Sequence, residues 1–188
     1  MQKTIEQIFA ESIEVKQETL KNNLPQIIKA AESIISSLKG GHKLFFCGNG
    51  GSAADSQHIA AEFVGRFQKE RKAWPAIALT TDTSALTALG NDYTFDIVFS
   101  RQLQALGQKG DVLIAISTSG NSKNVLEAVK QAKATGIITI AVTGGKGGQL
   151  AGLSDISIIA ASSKTARIQE SHLVIFHTIC ELVENTLA

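Results

Sequence analysis

His58 and Glu62 stand four residues apart, a spacing that puts both side chains on one face of a helix, about 6 Å apart along its axis. An imidazole and a carboxylate so placed can share one divalent cation. The same two groups can also act as acid and base on a carbon acid when burial lifts the carboxylate pKa. A plain surface pair has the same spacing, so the context has to decide. Immediately upstream, Leu44-Phe45-Phe46-Cys47-Gly48-Asn49-Gly50-Gly51-Ser52 reads as an apolar strand running into a glycine turn. The turn offers bare backbone N–H groups at a helix start, where an oxyanion is well placed. Together the two halves point to a polar small molecule held at a helix start, with acid–base or metal chemistry one to two turns further in.

A second segment, Ile114-Ala115-Ile116-Ser117-Thr118-Ser119-Gly120-Asn121-Ser122, ends a buried strand in hydroxyls and a glycine before another helix begins. Hydroxyl donors and free helix-start N–H groups converge there in a geometry suited to phosphate. A serine that merely caps the helix is the simpler reading, but it needs only one hydroxyl. Ligands of open parallel sheets bind at this carboxyl edge, where the strand order switches. The glycine turn fits neither nucleotide fingerprint: no Gly-Lys-Ser/Thr closes it, and no acid ends the next strand near Thr80.

Composition narrows the partners. The 188 residues carry 18 basic and 17 acidic side chains, a formal charge of +1, which implies no broad attraction for nucleic acid or an anionic membrane. The apolar runs fall short of the roughly 20 residues that span a bilayer. The first residues mix Lys3, Glu6, Glu11 and Glu14 among apolar ones, unlike a secretory signal, so a cytoplasmic location is expected. Cys47 and Cys180 make no disulfide framework and read as core thiols, although Cys47 lies beside the glycine turn.

The elements that must position these groups follow from periodicity. Apolar residues recur at helical spacing from Ile5 to Leu38, giving one long helix or two broken near Pro25, ended by Gly40-Gly41. Five short β-rich runs follow, at 43–47, 76–80, 111–116, 137–142 and 155–160. Helical stretches alternate with them at 53–67, 83–90, 96–106, 122–134 and 167–187. This alternation predicts a five-stranded parallel sheet wrapped by helices, in one domain over 1–188: an N-terminal helical segment 1–40 and an α/β core 41–188. The first helix carries a longer apolar stripe than a lone helix needs, which suggests packing against another subunit.

The Cys-Gly-Asn-Gly-Gly-Ser turn, His58-x-x-x-Glu62, Gly90-Asn91-Asp92, Ile116-Ser117-Thr118-Ser119-Gly120-Asn121-Ser122 and Arg167-Ile168-Gln169-Glu170-x-His172 together resemble the sugar isomerase (SIS) domain, specifically the phosphoheptose isomerases. The likeness runs in order along essentially the whole chain. It implies a three-layer, flavodoxin-like α/β fold, a cytoplasmic homotetramer and a zinc ion in the site. The implied reaction converts sedoheptulose 7-phosphate to D-glycero-D-manno-heptose 7-phosphate, the first step toward the ADP-heptose of bacterial lipopolysaccharide.

The same resemblance implies the roles. The metal ligands would be His58, Glu62, Gln169 and His177. Gln169 and His177 are eight residues apart, about 12 Å and 80° on a straight helix, so they would share an ion only with a frayed helix start or a site shared between subunits. Glu62 would be the base and His177 the acid, with a tension between ligation and proton transfer. Ser117, Ser119, Ser122 and the Thr118 backbone would hold the phosphate, and Asn49, Gly50, Gly51, Asn91, Asp92, Glu62 and Gln169 the rest of the substrate. Asn91-Asp92 also reads as an ordinary turn after Gly90. His172, about 140° around the helix from His177, is expected to cap or pack elsewhere, and Lys69-Glu70-Arg71-Lys72 reads as a solvated turn. Some isomerases have Asp where this chain has Ala166. A related binding module, the DnaA initiator-associating protein, shares the turn and the Ala-Arg-Ile-Gln-Glu segment. In that relative neither position 62 nor position 177 keeps its carboxylate or imidazole. A sugar-phosphate sensor would keep the serine loop alone.

Overall fold

The computed structural model describes residues 1–188. Five parallel strands, β1 (Leu44–Cys47), β2 (Ala76–Ala78), β3 (Val112–Ser117), β4 (Ile138–Gly144) and β5 (Ile156–Ala160), form one sheet in the order β2-β1-β3-β4-β5. Every residue of β1 and β3 is buried, as expected of strands covered on both faces. Their side chains alternate between two cores. Phe46, Ile114, Ile116, Ile140 and Val142 face one layer, whereas Phe45, Cys47, Leu113, Ala115 and Ala141 face the other.

The first layer is built by α1 (Gln2–Lys39), α2 (Gly51–Val64) and α7 (Thr165–Leu187). The second is built by α3 (Thr83–Asp92), α4 (Ser100–Leu106), α5 (Lys123–Thr135) and α6 (Gly148–Leu153). The result is the parallel sheet wrapped by helices that the alternating pattern predicts, in the three-layer, flavodoxin-like α/β form that the family resemblance implies. No helix is long and apolar enough to cross a membrane. Both cysteines are buried, and burial pushes each thiol up to about 12, which leaves them packing groups.

The structure settles one point that the periodicity leaves open and departs from it at three others. The first segment is one long helix, not two broken near Pro25, and it runs through the proline. Proline removes one helical hydrogen bond and crowds the preceding turn, at about 3 kcal/mol. Here Lys21 and Pro25 both face solvent, and packing on either side holds the axis. On one side Asn23 accepts from Ile159 N–H (2.9 Å) and donates to Ile159 C=O (3.0 Å), while Thr19 accepts from Ala161 N–H. These side chains cover the open edge of β5 as another strand would. On the other side Ile27, Ala30, Ala31 and Ile34 enter the core.

The remaining departures are smaller. Helix α2 starts at Gly51 and ends at Val64, earlier at both ends than its apolar spacing suggests, because Gly50 turns the chain at φ +57°. The 96–106 stretch divides into a 3-10 turn, Phe95–Ile97, and α4. Helix α6 carries no sequence signal of its own, since glycines at 145, 147 and 148 mask it as a loop.

Candidate active site

The strand order reverses between β1 and β3: the chain leaves β1 toward β2 on one side and builds β3, β4 and β5 on the other. At such a switch point the loops diverge and leave a crevice beyond the carboxyl ends of the strands. The glycine turn after β1 and the serine loop after β3 both lie there, and they are tied together. Asn49 and Asn124 exchange reciprocal amide hydrogen bonds of 2.8 Å each. Asn124 is buried in the first turn of α5, and nothing in its sequence context marks it for this role.

In the serine loop the hydroxyls converge. Ser117 Oγ lies 3.0 Å from Ser122 Oγ and 3.5 Å from Ser119 Oγ, and Ser119 Oγ accepts from Asn121 N–H. Gly120 makes this turn at φ +66° and leaves no room for a side chain, since a Cβ there would overlap the Gly147 backbone. Its carbonyl accepts from Leu150 N–H, so the glycine-rich loop after β4 buttresses the serine loop. The Ser122 side chain makes no cap hydrogen bond to α5. Its hydroxyl pairs with that of Ser117 instead, and Ser119, which accepts from Asn121 N–H, keeps its own O–H to donate to a ligand.

One helix further along, His58 and Glu62 of α2 meet His177 of α7. His58 Nε2 is 3.0 Å from Glu62 Oε1 and 3.5 Å from His177 Nε2. One donor atom from each of the three lies within 4.8 Å of the other two. Two bonds of about 2.1 Å at a tetrahedral angle place ligand atoms about 3.4 Å apart, so the three donors are spaced to hold a metal ion. His58 is exposed and the other two half-buried, which leaves an approach for substrate. The Phe67 ring lies 5.5 Å from the His177 ring at 33° and backs it. Asp55, one turn before His58, has a buried Oδ2 without a hydrogen-bond partner; burial raises its pKa against the opposing pull of His58.

Gln169 sits elsewhere on the same surface. Helix α7 is continuous from Thr165, so no fraying occurs at Gln169. Its amide packs on Gly51, where any Cβ would overlap it. The two helices run side by side, with Gln169 against the start of α2 and His177 against its middle. Gly51 thus makes room for a side chain as well as offering backbone. Asn91 and Asp92 end α3 in the open, and their one side-chain hydrogen bond is to each other (2.9 Å); within one chain they join neither group.

His172 is fully buried and donates from Nε2 to the Thr143 carbonyl at 2.9 Å, as expected of a packing residue. Burial lowers its pKa to about 4, against the raising effect of that carbonyl. The Lys69–Lys72 turn needs a correction. Arg71 is not solvated: its side chain is 4 % exposed, pairs with Glu184 of α7 (2 %) at 3.2 Å, and stacks 3.7 Å over Trp74. A basic run reads as surface in sequence, and the acidic partner 113 residues away is invisible there.

Comparison with known proteins agrees with this geometry. Residues 7–144 match the family model described as "SIS domain". The chain is 56% identical over 163 residues to a phosphoheptose isomerase of Campylobacter concisus, covering 87% of this chain and 86% of the other. It is 53% identical over 184 residues to that of Aquifex aeolicus, covering 98% and 96%. The solved phosphoheptose isomerase of Neisseria gonorrhoeae superposes with a TM-score of 0.93 at 48% identity over 98% of each chain. That of Francisella tularensis gives 0.94 at 40% over 97% of each. Identity near one half along the full length, on the same fold, fixes the kinship: this chain belongs to the SIS-domain family and, within it, to the phosphoheptose isomerases.

Proposed function

We propose that the protein is an aldose–ketose isomerase that converts sedoheptulose 7-phosphate to D-glycero-D-manno-heptose 7-phosphate, the first step toward the ADP-heptose of lipopolysaccharide. The observation that carries this reading is the meeting of His58 and Glu62, on the helix that follows the β1 turn, with His177 of α7, and a hydroxyl-lined loop across the same switch point. Ser117, Ser119 and Ser122, with the Thr118 backbone, bind the phosphate; Asn49, Gly50, Gly51 and Gln169 bind the hydroxyl chain. Asn91 and Asp92 belong to the substrate site only if α3 delivers them to a neighbouring subunit's crevice.

The reaction moves a proton between adjacent carbons. Glu62 takes the proton from C1 of the ketose, the C2 oxygen gains a proton as the enediol forms, and His177 returns one to C2 while the C1 hydroxyl gives up its own to leave the aldehyde. A positioned carboxylate is a common base for a carbon acid. An imidazole exchanges protons near neutral pH. The His/Glu/His donors suit zinc, which prefers N and O ligands, and with no fraying at Gln169 a fourth ligand from that residue would require a site shared between subunits. When bound, zinc would supply polarisation of the substrate's neighbouring oxygens.

We assign the protein to the cytoplasm as a single-domain homotetramer with no nucleic-acid or membrane partner. Ile5, Phe9, Ile13, Leu20, Leu24 and Ile28 leave an apolar face of α1 in the open, and a second copy would cover it. Sedimentation tests the oligomer. For the activity, purified protein is incubated with sedoheptulose 7-phosphate, with and without a chelator, and aldose formation is followed while elemental analysis reports the metal. Turnover that is lost with chelator and in Glu62→Gln supports the reading. No turnover by metal-replete protein sinks it.

A further inference from the structure

We propose that Arg71 and Glu184, which hydrogen-bond to neither the Glu62 carboxylate nor the His177 imidazole, are positioning residues that set the separation of Glu62 from His177. The inference rests on the roles given to those two groups above. They come from different helices, so whatever fixes the last turn of α2 against α7 fixes their distance.

Arg71 takes hold of that last turn. Its guanidinium donates to the carbonyls of Glu62 (2.6 Å), Phe63 (2.9 Å), Gly65 (3.0 Å) and Lys72 (3.1 Å), and its Nε donates to Glu184 Oε1. A helix end leaves its final carbonyls without partners, and a cation there also suits the helix dipole. Here one fork of five N–H donors serves both ends of a junction. It satisfies the backbone of Glu62 itself and reaches across to α7.

Glu184 takes hold of the loop that leaves α2. Its two carboxylate oxygens accept the N–H groups of Phe67 (3.1 Å), Gln68 (2.7 Å) and Lys69 (2.8 Å). It stands seven residues beyond His177, which brings it to within about 20° of the same helix face. By pinning Phe67 it holds that ring against the His177 imidazole. The chain of contacts is closed: Glu62 backbone, Arg71, Glu184, α7, His177, Phe67 and back into the loop. Buried ion pairs frequently contribute no more stability than apolar residues of the same volume. What this pair contributes is a geometry that lysine, with a single ammonium, cannot reproduce.

The test uses Arg71→Lys and Glu184→Gln in the full-length protein, with thermal melting, kcat and KM for sedoheptulose 7-phosphate, and the ring-current-shifted imidazole proton resonances of His177 in NMR spectra. The expected result is a kcat lowered ~10- to 100-fold, the cost of displacing reacting groups by about 1 Å. KM should stay within about twofold, because the serine loop is untouched, and the His177 resonances should move toward unshifted positions. A variant that melts lower but keeps wild-type kcat and His177 shifts overturns the proposal, since the pair would then be structural alone. If Arg71→Lys does not fold, Glu184→Gln, which keeps its volume, is read on the same scales. The NMR readout needs neither substrate nor metal, so failure of the isomerase reading, seen as an inactive wild type, is distinct from failure of this one.

Discussion

Gly51→Ala should inactivate the enzyme without unfolding it, and the structure supplies the reason. Gly51 opens α2 with a backbone that alanine can adopt, since its φ is not among the positive ones. Alanine is up to about 1 kcal/mol better than glycine within a helix. The added Cβ, however, would fall inside contact distance of the Gln169 amide nitrogen and 3.0 Å from its Cδ. The amide must retreat by roughly 1 Å to restore ordinary separation. Moving the end of a flexible side chain off its rotamer costs about 0.5–1.5 kcal/mol, which nearly cancels the propensity gain. The melting temperature should therefore stay within roughly 4 °C of wild type, about 1 kcal/mol for a chain of this size.

Activity should respond quite differently. A misplacement of this order costs up to about 100-fold, or roughly 2.7 kcal/mol of barrier. The assay is kcat/KM for Gly51→Ala, Gln169→Ala and the double variant. If Gly51 acts by making room for Gln169, the double variant is no worse than Gln169→Ala alone, because residues in one contact are not additive. Wild-type kcat/KM in Gly51→Ala, or losses that multiply in the double variant, would refute the steric argument.

Three further outcomes follow from the same contacts. Gly120→Ala puts a Cβ on a residue at φ +66° and 2.5 Å from the Gly147 carbonyl carbon; with a left-handed penalty of about 1–2 kcal/mol before any clash, a drop in melting temperature of at least roughly 4 °C is expected, and a smaller one would show that the loops are not interlocked. Asn124→Ala breaks the reciprocal amide pair with Asn49 at about 1–3 kcal/mol, and should raise KM; an unchanged KM removes the pair from loop alignment. His172 stays neutral in the folded chain until pH falls to about 4, whereas the unfolded chain protonates it near 6.5. Stability should thus fall as pH drops from 6.5 toward 4, by about 3 kcal/mol from this residue, and urea titrations should show a flatter pH dependence in His172→Asn; equal slopes would exclude the residue as a source.

Much of the fold is legible in the order of residue types. A strand buried on both faces must be apolar throughout, so the runs around Phe45, Ile114 and Ile140 announce themselves, and the stripe from Ile5 to Leu38 declares a helix. Helix α6 is hidden because glycine carries no periodic signal, and Pro25 leaves one helix or two open because proline's cost is local whereas the anchors at Asn23 and Ile34 that offset it lie in tertiary contacts. Within the site, His58 and Glu62 are readable from a spacing of four on one helix. Their meeting with His177 depends on the parallel packing of α2 on α7, which no local pattern encodes. Arg71 escapes for the opposite reason: a charged run looks solvated until a buried partner on α7 is in place.

The sequence by itself therefore determined the kind of chemistry and the layer order, because both depend on residue identity and short-range period: hydroxyls and glycines at strand ends, an imidazole and a carboxylate on one helix face, apolar runs of strand length. The tertiary structure alone decided which of these groups share a site. It set His177 rather than His172 beside His58, turned Gln169 onto Gly51, and joined the two loops through Asn124. The physical reason is reach. Side-chain chemistry acts over about 3 Å, and only packing brings residues more than a hundred positions apart to that distance.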